Sequence, residues 1–74
     1  MPTIDLTATG MNIGELMKKN GFSAADVADR MGFSSRNAVY KWLKGETLPT
    51  LDNLLILADL LDVTVEEILV VTRG

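Results

Sequence analysis

Apolar residues recur along most of this chain at helical spacing, and small polar or glycine punctuation separates each run from the next. Ile13, Leu16 and Met17 fall at i, i+3 and i+4, with Lys18 and Lys19 at the end of the run and Gly21 after it. That pattern predicts a first helix over 12–20. Ser23, with Asp26 three residues on, caps a second helix over 24–31 whose buried stripe is Val27, Ala28 and Met31; Gly32 stops it. Ser34 or Ser35 caps a third helix over 36–44, with Val39, Trp42 and Leu43 as its apolar positions and Gly45 as its end. After a loop to Pro49, Thr50 caps a fourth helix over 51–61, for which Leu51, Leu54, Leu55, Ala58 and Leu61 are the expected buried face. Asp62 breaks the pattern. Thr64, with Glu67 at the capping-box position, opens a fifth helix over 65–69 that brings Ile68 and Leu69 to the core.

The two ends read differently. Ile4 and Leu6 alternate with Thr3, Asp5 and Thr7, a short strand pattern that Gly10 closes, and Val70, Val71 and Thr72 favour extended backbone through β-branching. The fold class is therefore all-α, a compact five-helix bundle, with a short two-stranded pairing of the chain termini. The organisation is an N-terminal arm over 1–11, one domain over 12–69 and a tail over 70–74.

Composition narrows the chemistry. The chain is 47% hydrophobic but has only Phe22, Phe33, Tyr40 and Trp42 as aromatics, which suits an aliphatic helical core. It has no cysteine and no histidine, so thiolate chemistry, disulfides and the usual general base and metal ligand are missing. An enzyme is not expected, nor is a cofactor or a small-molecule ligand. No apolar run reaches the length of a membrane span and no basic-then-apolar leader opens the sequence, so the expected compartment is the cytoplasm. The net charge of −3 is unpromising for a polyanion binder, but it is unevenly spread. Residues 36–49 hold Arg36, Lys41 and Lys44 against Glu46, while residues 50–74 hold Arg73 against Asp52, Asp59, Asp62, Glu66 and Glu67.

The second and third helices, joined by a short turn with Gly32, have helix-turn-helix spacing, with small Ala28 where two helices cross. Together with Ile13–Leu16–Met17, the stretches "FSAADVADRMGFS", "VYKWLKGETLPTLDNLLILADLLDV" and "TVEEIL" resemble the phage-repressor/Cro-like helix-turn-helix family. The resemblance covers Asn12 to Leu69 and implies a lambda-repressor-like bundle whose third helix enters the major groove of double-stranded DNA. It places Arg36, Asn37 and Lys41 at base-reading positions and Ser35 and Lys44 on phosphates. Tyr40 is open between a phosphate hydrogen bond from its hydroxyl and simple exposure. The side-chain chemistry agrees, since Arg pairs with guanine, Asn with adenine, and Lys with phosphate or guanine. The resemblance also implies a repressor-like transcriptional regulator, a homodimer through the C-terminal part, where Leu69, Val70 and Val71 are apolar.

Three features depart from the family pattern. One more residue stands between Gly32 and Val39, Ala24 replaces a phosphate-holding polar residue, and Glu46 lies where a basic residue would help, with Leu43 in place of a frequent Glu. The net charge of −3, Ala24 and Glu46 favour the competing expectation, a protein-interaction module or antitoxin-like adaptor that keeps the fold with weak or no DNA binding. Trp42 is expected as a buried anchor rather than a base-stacking residue. Capping and solvation account for Asp59, Asp62, Glu66 and Glu67 better than a cation site does.

Overall fold

Asp5 takes up the start of the first helix: its Oδ1 accepts the Ala8 N–H at 2.9 Å, and α1 runs from Leu6 to Lys19 in the computed structural model, which describes residues 1–73. The expected start at residue 12 is thus six residues late. Gly10 reads as a terminator, yet here it is a point of contact. A Cβ at Gly10 would fall on the Trp42 carbonyl oxygen and within 2.9 Å of the Leu43 carbonyl oxygen, so the missing side chain lets α1 lie directly on the third helix.

The remaining helices follow the sequence pattern closely, whereas the N-terminal strand lies earlier than the expected Ile4–Leu6 alternation because Asp5 caps α1 and Leu6 and Thr7 are already helical. These helices are α2 (Ala24–Arg30), α3 (Asn37–Lys44), α4 (Leu51–Leu61) and α5 (Val65–Ile68), with β1 (Pro2–Ile4) and β2 (Val71–Arg73) at the two ends. Five helices and a two-stranded antiparallel sheet bear out the expected fold class, and the strands pair Pro2 with Arg73, Thr3 with Thr72 and Ile4 with Val71. Capping boxes open α2 (Ser23/Asp26) and α5 (Thr64/Glu67), and the Thr50 hydroxyl accepts the Asn53 N–H at the start of α4. Asp62 breaks the pattern because it is the left-handed C-cap of α4, at φ 57°.

The core joins Ile13 and Met17 of α1, Val27 and Ala28 of α2, Val39 and Trp42 of α3, Leu54, Leu57, Ala58 and Leu61 of α4, and Ile68 of α5. Met31 is half-buried against it. The expected face of α4 needs correcting: Leu57 is fully buried, whereas Leu51 is 80% and Leu55 64% exposed. Leu54, Leu57, Ala58 and Leu61 make one stripe at i, i+3, i+4 and i+7, and Leu51 and Leu55 lie to one side of it. In a run as apolar as "LLILADLL" composition cannot select the stripe.

A polar clasp fixes the termini. Thr9 is fully buried, and its Oγ1 accepts the Val70 N–H at 2.9 Å and lies 3.5 Å from the Val70 carbonyl oxygen, to which it donates. The Asp5 N–H donates to the same carbonyl at 2.8 Å. Asn12 Nδ2 donates to the Glu67 and Ile68 carbonyls at 2.8 and 2.9 Å, binding α5 to α1.

The two helical glycines of α1 separate packing from propensity. At Gly14 a Cβ would meet Leu43 Cδ2 at 3.5 Å, an ordinary contact. Gly14→Ala is therefore expected to stabilise the protein by about 0.5–1 kcal/mol through helix propensity. Gly10→Ala is expected to destabilise it by about 1–3 kcal/mol through overpacking against backbone. Urea unfolding of the two variants checks both signs.

Candidate nucleic-acid interface

The outward face of α3 is built by its own periodicity. Asn37, Tyr40, Lys41 and Lys44 fall at i, i+3, i+4 and i+7, so they share the side opposite Val39 and Trp42. Val39 is fully buried and Trp42 is 3% exposed, which anchors the helix and leaves all four polar residues in solvent. The Phe33 ring meets Trp42 edge-on at 5.8 Å between centroids, and the Phe33 N–H donates to the Ala28 carbonyl at 2.9 Å. Phe33 thereby ties the turn both to the end of α2 and to the buried side of α3.

That anchoring decides what the longer turn does. With Phe33 held at one side and Val39 at the other, Ser34, Ser35 and Arg36 must span the gap outside the helix. Arg36 becomes the N-cap residue, in αR backbone and with no side-chain cap, and the helix begins at Asn37 rather than at residue 36. Ser35 is not the N-cap residue; it sits one place earlier, and its Oγ accepts the Asn37 N–H only at 3.4 Å. Arg36 and Ser35 remain exposed at the mouth of α3, beside a cleft of about 330 Å³ between α2 and the turn.

The structure brings Arg36, Asn37, Tyr40, Lys41 and Lys44 onto one continuous surface. Among the described residues, the side chains of Arg36, Asn37 and Lys41 make no ion pair or hydrogen bond within the chain. Tyr40 is 43% exposed, with its ring on this face. Lys44 differs, because its Nζ lies 3.8 Å from Glu46 Oε2. Both side chains are more than half exposed, so the pair contributes little to stability, but it places an anion beside the cation.

At the start of α2 the capping box uses the free backbone donors internally. Ser23 Oγ accepts the Asp26 N–H at 3.1 Å, and Asp26 Oδ2 accepts the Ser23 N–H at 2.9 Å. With Ala24 next to it, this helix start presents a carboxylate and no polar side chain at the position where the family pattern holds a phosphate. The Ser23 backbone N–H, then its hydroxyl, hold the Asp26 carboxyl below the usual carboxylate range, with Arg30 adding to the effect and slight desolvation opposing it. Sequence reasoning missed the support behind α3: the small-residue run Thr7–Gly10, which a close helix crossing requires, was the available signal.

The helix-turn-helix family model matches residues 13–68 of the chain. Among solved structures, the restriction-modification controller protein C.AhdI from Aeromonas hydrophila superposes with a TM-score of 0.77 at 31% identity, covering 86% of this chain and 96% of that one. The DNA-binding domain of BldD superposes with a TM-score of 0.74 at 22% identity, covering 89% of this chain and 94% of that one, which is a likeness of fold. No curated protein matches the sequence.

The capping box carries a pH dependence. The folded-state pKa of Asp26 is lowered, so its contribution is present above the unfolded carboxylate value and is lost as pH falls through the folded one. Asp26→Asn is expected to flatten the acid limb of the stability profile from the ordinary carboxylate value of about 3.9 downward. Urea midpoints measured across that range check this.

Proposed function

The chain belongs to the helix-turn-helix family, and we propose that it acts as a small repressor-like transcriptional regulator, binding double-stranded DNA sequence-specifically through its 12–69 domain. In this reading α3 lies in the major groove. Arg36 and Asn37 meet base edges from its first turn, Lys41 follows one turn on, and Ser35, Tyr40 and Lys44 contact flanking phosphates. One observation carries the reading: three side chains suited to base edges, Arg36, Asn37 and Lys41, stand exposed and unengaged on the outward side of a helix anchored from behind by Val39 and Trp42.

The reading extends to a cytoplasmic protein without catalytic activity or cofactor, since the sequence lacks the histidine and cysteine most often used for either. No helix among the described residues is long and apolar enough to cross a membrane. It extends also to a homodimer through the C-terminal part, on two half-sites about one helical turn apart. Val71, 44% exposed, stands beside its cross-strand partner Ile4, 40% exposed, and the pair offers an apolar contact for a second copy.

The competing reading, an interaction module or antitoxin-like adaptor, is favoured by the Lys44–Glu46 pair and by the carboxylate at the start of α2. Fewer phosphate contacts predict modest affinity and a shallow salt slope.

Selection of duplexes from a random pool, followed by titrations at several salt concentrations, separates the two. Arg36→Ala and Asn37→Ala are each expected to cost about 1–3 kcal/mol on the selected site and relax one base position. Lys44→Ala should weaken all sequences alike and lower the salt slope by about one, whereas Glu46→Gln should tighten binding without altering preference. Unchanged duplex binding in the Arg36/Asn37/Lys41 triple alanine variant would pass the function to the competing reading. Val71→Asp is expected to keep single-half-site binding and lose the preference for paired half-sites.

A further inference from the structure

The outward face of α4 is unlike a solvated helix face. Leu51, Leu55 and Ile56 are 80%, 64% and 47% exposed, on a helix whose core stripe is already complete without them. Helical spacing places Asp52 and Asp59, seven residues apart, in line along the middle of that face. Leu51 and Leu55 flank this line on one side, Ile56 and half-buried Leu60 on the other.

The two carboxylates are not accounted for alike by the fold. Asp26 and Glu67 close capping boxes, and Asp52 stands in the first turn of α4, where the helix dipole favours an acid. Asp59 stands in the last turn, where the dipole opposes it; that turn holds no basic residue, and its C-cap is another acid, Asp62. Among the described residues the one salt bridge is Lys44–Glu46, so neither Asp52 nor Asp59 is neutralised within the chain.

We propose that this face docks a partner protein through a cationic amphipathic helix, one that sets Lys or Arg seven residues apart between apolar positions. Such a helix meets the acidic line with its charges and covers the leucines on both sides, as helix-on-helix recognition requires. Charge selects this occupant. The acidic line repels DNA and anionic lipid. A second copy laid face to face would bring its own Asp52 and Asp59 against these, because the Lys and Arg side chains of this chain lie on α1, α2, α3 with its N-cap, and β2, and none on α4. The inference does not depend on the DNA reading, which concerns another face.

The test uses the full chain, isotopically labelled, and two synthetic helical peptides with the same leucine positions, one with lysines and one with glutamates in the central line. The expected result is that the lysine peptide alone shifts amide resonances of residues 51–60 and leaves those of α3 in place. Leu55→Ser and Asp59→Lys, both at exposed positions, should each weaken it by about tenfold or more while retaining the wild-type spectrum elsewhere. Equal binding of the glutamate peptide, or shifts scattered over the surface, would overturn the proposal. So would concentration-dependent broadening of residues 51–60 without peptide, with a dimer in sedimentation that Leu55→Ser dissolves, since the face would then belong to a second copy. Duplex titrations of both variants, run alongside, report the DNA reading separately.

Discussion

The backbone of α1 touches the backbone of α3, and the placement of the outward face of α3 depends on that contact. It needs two positions without side chains. Gly10 clears the carbonyls of Trp42 and Leu43, and Gly45, at φ 75°, turns the chain out of α3 where a Cβ would come within 2.8 Å of Thr7 Cα. The first turns of α1 thus form a seat for the C-terminal end of α3. The seat is itself held from the far end of the sequence, because Thr9 and Asp5 both bond the backbone of Val70 and the terminal strands pair beyond it. A surface that reads base edges requires a helix fixed to within a fraction of an ångström. Here that fixity comes from a backbone contact behind the helix, together with the burial of Val39 and Trp42 in the core.

How much of this could be read in advance depended on whether a residue's role was local. Capping boxes, C-terminal glycines and short apolar stripes are set by neighbours three or four positions away, so α2, α5 and the end of α3 were legible from Ser23/Asp26, Thr64/Glu67 and Gly45. The clustering of Arg36, Asn37, Tyr40, Lys41 and Lys44 was legible for the same reason. Gly10 was not, because a helical glycine and a terminating glycine look alike until the crossing helix is known. The face of α4 was not either: six leucines and an isoleucine in eleven residues satisfy several stripes, and only packing into the shared core selects Leu54, Leu57, Ala58 and Leu61. At the start of α3, Phe33 decided the register through tertiary contacts with Ala28 and Trp42, which no spacing rule contains.

The charge distribution gains meaning once the faces are known. A balance of −3 describes no surface of the molecule. The cations of 36–44 project from one side of α3, and the acids of 50–67 lie on α4, α5 and their caps. In the proposed docking such a separation would act as an orienting moment, drawing the α3 face toward the duplex and disfavouring approach by the acids of α4 and α5. Glu46 marks the boundary between the two. In the proposed docking, its contact with Lys44 would trade part of the attraction at the end of α3 for weaker sequence-independent binding, because phosphate contacts strengthen every site alike. In that docking, base-edge contacts from Arg36 and Asn37 would then carry a larger share of the total binding energy. A regulator built this way gives up affinity to gain discrimination, and affinity must be recovered by a second contact away from the duplex. The carboxylates without an ion pair and the exposed leucines belong to α4 rather than to α3, so in that reading such a contact would form apart from the recognition helix.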